Sequence, residues 1–324
     1  MIELLLACVL SSSPLAITGN ESGLWFIGDV APNKSSSTAR AKDLDFDLCQ
    51  QYGENEYVVI IPFTRRPSLL AVEENTLWFV DASSGVGLYT VKLANASSAS
   101  TSRNAMLRMP TLQSLYKTTE KPTGLLVLEE EPVLVFDSSG ENATTLVQYK
   151  NKEWTPLPSI DGSGAKVALL RTQLIAAVPI DGGASLWYFQ EGSWLGGDKI
   201  EFDGALEGLI CKDNWPILIT NNADEVTMTG IQQGGPVHLA TVPLPKGRWG
   251  AVPTSRGITV VGVQRKGIFT SFDIGWPSGT ISEPIILNER FKKDDSLLFT
   301  VLFISMVLAS LLLISKIRRP VQKN

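Results

Sequence analysis

The chain has little of what most catalytic and metal chemistry needs. Its 324 residues include one histidine, His238, and three cysteines, Cys8, Cys49 and Cys211. One imidazole cannot build a multi-histidine metal centre, and a Ser-His-Asp triad would have to converge on that single residue. Three cysteines are too few for a disulfide framework. Basic charge is also short: 28 Lys and Arg face 33 Asp and Glu, for a net charge of −5. Nucleic acid would call for a basic stripe or face, so no such partner is expected. No catalytic set, metal site or cofactor is expected either. Aromatics are only 8% of the chain, yet they include eight tryptophans, several at related places.

What is present begins at the two ends. Residues 296–315 read SLLFTVLFISMVLASLLLIS, with no charge. Twenty helical residues at about 1.5 Å each cover a hydrocarbon core of about 30 Å. A buried core helix is the alternative, but such helices usually break an apolar run with polar positions. Lys316, Arg318, Arg319 and Lys323 follow without an acidic residue, whereas Arg290, Lys292 and Lys293 before the span are mixed with Glu289, Asp294 and Asp295. Basic residues stay preferentially on the cytoplasmic side. The tail, 316–324, is therefore expected inside, and everything before the span, the linker 289–295 included, outside. The short apolar run Leu4–Leu10 and the small residues Ser11–Ser13 read as a signal peptide over 1–13, although Glu3 stands where a basic residue is usual. Leu5–Cys8 also loosely fits a lipoprotein box, with too short a run before it. Without a signal, the chain would instead be tail-anchored, with its large domain in the cytoplasm.

A repeat organises residues 14–288. Val135, Ala177, Ile219 and Val261 are each 42 apart, and Leu125, Val167, Leu209 and Ala251 keep the same step. Two earlier copies, Pro14–Asp29 and Pro67–Ala82, align from a proline through a Leu-Trp-Phe core, with polar insertions over 29–37 and 95–123. Each copy reads as short β-rich runs separated by polar turns, such as Glu129–Glu131 and Lys212–Asn214, and by Gly/Ser/Asp-rich turns, such as Asp81–Gly85 and Asp137–Gly140. Four strands in a unit of about 40–45 residues is the grammar of a propeller blade. The inner runs, Leu77–Val80 and Leu174–Val178, are continuously apolar, as expected where neighbouring blades cover both faces. A stack of β-sandwiches is the competing architecture, but it would not repeat in register.

The units resemble β-propeller repeats of the broad kelch, NHL and WD40-like kind over nearly the whole ectodomain. The Trp-Asp ending of WD40, the paired glycines of kelch and the Ser-x-Asp-x-Gly-x-x-Trp box of sialidases are not found. The resemblance implies a fold and a general habit of binding, not a substrate. The expected architecture is therefore all-β, a six-bladed β-propeller ectodomain plus one C-terminal transmembrane helix.

Asp43, Asp45 and Asp47 alternate, but Leu48 stands where a calcium loop needs glycine. A strand with an acidic face explains them. His238 reads as an outer-strand residue, Cys211 as a small filler of an innermost strand, and Cys49 as a loop residue with no disulfide partner nearby. Asp29, Asp81, Asp137, Asp181 and Asp224 recur at the second turn. They could form an acidic ring, although Asp often hydrogen-bonds its own backbone in turns. Loops on rigid scaffolds carry function. The candidate contact residues are Arg65, Arg66, Lys246, Arg248 and Trp249, with Asp81, Asp137 and Asp181. Sequons at Asn20, Asn33, Asn95 and Asn142 would accept glycans in a eukaryotic secretory protein. The expected function is a membrane-anchored, extracytoplasmic binding or scaffolding propeller with a protein or glycan ligand. The alternatives are a propeller hydrolase or lyase acting on glycans or lactones, and an accessory subunit of a membrane complex.

Overall fold

A computed structural model of the chain describes residues 17–20, 23–29, 46–52, 56–63, 68–73, 76–81, 86–92, 111–118, 120–138, 140–222, 225–243, 247–264 and 269–286. The chain divides at Ile286: residues 1–286 form one compact unit, and 287–324 a second that lies outside the described residues. The expected signal (1–13), linker (289–295), span (296–315) and tail (316–324) are likewise outside them. Among the described residues no helix is long and apolar enough to cross a membrane.

Every regular element described is a strand, and the strands form antiparallel sheets of four in chain order. The first sheet holds β1 (Ile17–Asn20), β2 (Gly23–Asp29), β3 (Phe46–Tyr52) and β4 (Glu56–Phe63); the second holds β5 (Leu69–Glu73), β6 (Thr76–Asp81), β7 (Val86–Lys92) and β8 (Thr111–Tyr116). In the third are β9 (Pro122–Leu128), β10 (Glu131–Ser138), β11 (Ala143–Lys150) and β12 (Glu153–Asp161). The fourth has β13 (Lys166–Leu170), β14 (Gln173–Ile180), β15 (Gly183–Gln190) and β16 (Ser193–Glu201). The fifth comprises β17 (Ala205–Lys212), β18 (Trp215–Asn222), β19 (Glu225–Gln232) and β20 (Gly235–Pro243). The sixth comprises β21 (Gly247–Thr254), β22 (Gly257–Gln264), β23 (Phe269–Gly275) and β24 (Ile285–Ile286). Side-chain packing is described for the second to sixth sheets; in the first, burial is described only for Ile17 and Thr18.

The first strands of consecutive sheets lie side by side, and β1 also lies against β21, which brings the circle round. This is a β-propeller, the class the repeat predicted. Each sheet uses four consecutive strands, so no strand is shared between the first sheet and the last.

The reason for the 42-residue period is visible in the second strand of each sheet. Strands β10, β14 and β18 each bury five residues in a row. In β10, Leu134 and Phe136 pack toward the second sheet, while Val133 and Val135 pack toward the fourth. In β14, Leu174, Ala176 and Val178 face the third sheet, and Ile175 and Ala177 face the fifth. Covering a strand on both faces demands an apolar side chain at every step, not at alternate ones. Each such Leu, Ile, Val or Phe contributes about 1.5–3 kcal/mol by leaving water. The outermost strands have only partial cover, and β12 and β16 are mostly exposed.

Two-residue turns set the strand registers. Glu129–Glu130, Asn151–Lys152 and Asp213–Asn214 have positive φ at both residues. These mirror-image turns match the twist of the strands they join. The polar turn expected over Glu129–Glu131 is thus tighter, with Glu131 already opening β10. Cys49 also departs from expectation, because it lies within β3 and not in a loop.

Candidate functional site

Two openings offer themselves. The first is the axis of the ring, a cavity of about 260 Å³ lined by Ile17 of β1 and by the starts of β5, β9, β13, β17 and β21. The repeat places its residues in layers. Gly124, Lys166, Gly208 and Gly250 occupy one register, each 42 apart, and the preceding register holds Thr123, Ala165, Glu207 and Trp249. Lys166 is therefore the one long side chain among three glycines, and Glu207 lies one layer away on the adjacent strand. Leu69, Leu125, Val167, Leu209 and Ala251 make the remaining wall aliphatic. Among the described residues no group of three or more His, Cys, Asp and Glu side chains could hold a metal ion.

The second opening lies between the fourth and fifth sheets, and it exists because a clamp is interrupted. In the third sheet, Trp154 packs on Tyr149 with ring centres 4.9 Å apart and donates its indole N–H to Ser114 Oγ of β8 at 2.9 Å. The Tyr149 hydroxyl also donates to the Gln113 carbonyl at 3.1 Å. In the fourth sheet, Trp194 packs on Phe189 at 5.1 Å and donates to the Pro158 carbonyl of β12 at 2.8 Å. Each indole thus ties the outer strand of its own sheet to that of the sheet before. Trp154 and Trp194 are the second residues of nine-residue strands that follow two-residue turns; in β20 that position is Pro236. Its cross-strand partner is Ile231, where the other two sheets have Tyr149 and Phe189. Two aromatic rings and an N–H donor are replaced by a proline and an isoleucine.

The space left is a cleft of about 810 Å³ lined by Leu170, Leu186, Tyr188, Asp198, Ile231 and Pro236 among others. Deeper in, the sheets meet through a core that includes Ile175, Leu186, Ile200, Leu209 and Leu218 with Ala168, Ala177 and Ala184. Leu195, 51% exposed, pairs across the ladder with Tyr188 and shares its face of the fourth sheet. Asp198 is the sixth residue of β16, as Pro158 is of β12. Asp198 therefore adds a side-chain carboxylate at the residue whose counterpart, Pro158, receives the indole N–H through its backbone carbonyl. Burial, with further contributions from Asp198 and Cys211, pushes the Tyr188 hydroxyl above its ordinary range. Burial alone pushes the Cys211 thiol up to about 12. Both groups stay protonated at neutral pH and can donate.

Of the candidate contact residues singled out from sequence, Asp81, Asp137, Asp181 and Trp249 have described side chains, and each lies on a different sheet or turn. Arg65, Arg66 and Lys246 lie outside the described residues, as does the side chain of Arg248. The segment expected to be a loop at 246–249 is strand from Gly247 onward. Trp249 is only 7% exposed and packs in the core between the fifth and sixth sheets while touching the axial cavity. Asp81 ends β6, and Asp181 is exposed in the turn after β14. Asp137 accepts the backbone N–H of Gly164 at 2.9 Å, which fixes the connection into the fourth sheet. The role expected in place of an acidic ring is a bond within the Asp's own turn, whereas this partner lies 27 residues on. Asp29 has no described side chain, and Asp224 is outside the described residues. His238 is exposed on β20, and Cys211 is a free, partly buried thiol on β17, as expected. Sequence reasoning passed over the column Trp154, Trp194 and Pro236, although aligning the starts of the fourth strands would have found it.

No protein-family model matches the chain, and no curated protein does. Solved structures with similar folds are many. A candidate 6-phosphogluconolactonase from Bacteroides fragilis is 10% identical, with a TM-score of 0.50 over 83% of this chain and 96% of that one. The WD40 propeller domain of Doa1 is 13% identical, with a TM-score of 0.48 over 86% and 83%. A chain of a nidogen/laminin complex is 9% identical, with a TM-score of 0.47 over 72% and 80%. At these identities the likeness concerns the fold: the chain is a β-propeller. Propellers of this fold serve as binding scaffolds and as enzymes.

Proposed function

We propose that this chain is a binding or scaffolding propeller of six blades, anchored in a membrane by residues 296–315. The propeller faces the extracytoplasmic side, and the basic tail 316–324 faces the cytoplasm. The observation that carries the binding reading is the cleft between the fourth and fifth sheets. It is of the size that accepts a ligand or an inserted side chain, about 300–1,000 Å³, and it forms where the repeat drops its own aromatic clamp. The uncharged span and the asymmetry of its flanking charges support the anchoring.

The test is site-specific photo-crosslinking in intact cells expressing the full chain. A photoreactive residue at Leu195 should trap a partner, whereas one at exposed Glu141 on the turn before β11 should not. Absence of a crosslinked species from the cleft and from a panel of other surface positions would remove the reading. Protease digestion of intact cells checks the topology: the propeller should be degraded and the tail protected. Hydrolysis of 6-phosphogluconolactone above the spontaneous rate would replace binding with catalysis.

A further inference from the structure

We infer that the cleft between the fourth and fifth sheets receives an arginine side chain from an extended segment of a partner protein. This rests on the binding reading above and names the chemistry of its occupant. Three features of the cleft converge on a guanidinium. The interface before it is filled by a planar ring with an N–H donor, Trp194, which donates to the outer strand of the preceding sheet. The same place in the next interface has Pro236 and Ile231 on one wall and Tyr188 on the other, so a flat group finds apolar surface on both sides. At the residue matching the Pro158 acceptor, Asp198 keeps the backbone carbonyl and adds a side-chain carboxylate to the lining of the cleft. A carboxylate matches a charged donor better than a neutral indole.

Arginine satisfies all three, because its guanidinium is planar, carries several donors and packs against aromatic faces. Lysine brings charge without a plane, and tryptophan a plane without charge. The neighbouring cations, of which Lys199 also lines the cleft, have partners of their own. Lys199 pairs with Glu201 at 3.4 Å, and Lys212 pairs with Asp213 at 3.6 Å. Arg171 donates to Asn214. Leu195 stands exposed beside the cleft on β16, where it offers contact to an apolar residue flanking the arginine. The chain's acidic balance, net −5, favours approach of such a segment.

The experiment titrates the full chain in detergent micelles into fluorescein-labelled Ser-Leu-Arg-Leu-Ser and reads anisotropy. The control probe carries citrulline, which keeps the plane but loses the charge. A hydrogen bond to a charged partner is worth about 1.5–3 kcal/mol, so the arginine probe should bind at least about tenfold tighter. Asp198→Asn should erase that preference. Pro236→Trp should restore the clamp, abolish binding of both probes and raise the melting temperature. Far-UV circular dichroism shows which variants are folded, and Asp198→Asn, on an exposed strand, keeps the test open if Pro236→Trp misfolds.

Equal binding of the two probes, an unchanged preference in Asp198→Asn, or undiminished binding by folded Pro236→Trp would each overturn the inference. So would no saturable binding of the arginine probe. If that happens while Leu195 or another position still crosslinks a partner, only the arginine assignment falls. If crosslinking fails as well, the binding reading falls with it.

Discussion

Replacing Trp194 with alanine is the sharpest test of how adjacent sheets are held. The substitution removes the hydrogen bond to the Pro158 carbonyl, which nets about 1 kcal/mol. It also removes the contact with Phe189, worth about 1 kcal/mol beyond burial. Trp194 is half-buried, so loss of its shielded apolar surface adds about 1 kcal/mol more. The sum, about 2–3 kcal/mol, translates to a drop of about 4–6 °C in the melting temperature of a domain this large. Trp194→Phe keeps a ring against Phe189 and loses only the donor, so it should fall by about a third as much. Differential scanning fluorimetry of the full chain in detergent reads both. A Trp194→Ala protein melting within about 1 °C of the parent would show that the indole is not a clamp, and the account of the cleft would lose its reference point.

Other consequences follow from the packing and turns. Leu218→Ala, fully buried between the fourth and fifth sheets, should cost about 2–5 kcal/mol in urea unfolding. Lys152→Gly should stabilise by about 0.5–1 kcal/mol, because Lys152 has φ of 67° in a mirror-image turn where glycine carries no steric penalty. Gly204→Ala should be strongly destabilising: its φ is +97°, and the added Cβ would strike the Asn221 carbonyl. With Cys8 and Cys49 changed to serine, Cys211 should react with iodoacetamide at pH 8 about a thousandfold more slowly than a free thiol. Its pKa of about 12 leaves little thiolate. The sign for stability follows: the native thiol keeps its proton while the unfolded one loses it near pH 9, so stability should decline as pH rises from about 9 toward 12.

The repeat was legible because the second strands of the third, fourth and fifth sheets are buried on both faces, which writes a continuous apolar run such as Leu174–Val178 at a fixed interval. The turns were legible to within a residue, since polar pairs such as Asp213–Asn214 stand where a polar loop must emerge. The binding features were less so. Trp249 reads as a loop residue after Pro245–Lys246, but β21 begins at Gly247 and pairing with β22 carries the side chain into the core. Asp137 carries the mark of a turn acid, yet its carboxylate is engaged by a backbone N–H that lies 27 residues on. The cleft is written as a substitution, Pro236 for tryptophan, and it becomes visible only once the fourth strands are aligned and the donor's target on the neighbouring sheet is known.

A density map of the purified chain, by diffraction or electron microscopy, tests the central claim most directly. It should contain six four-stranded sheets, with the indoles of Trp154 and Trp194 donating to the sheet before them and an open cleft at Pro236. A ring of five sheets, indoles turned to solvent, or fourth and fifth sheets packed as tightly as the third and fourth would contradict it.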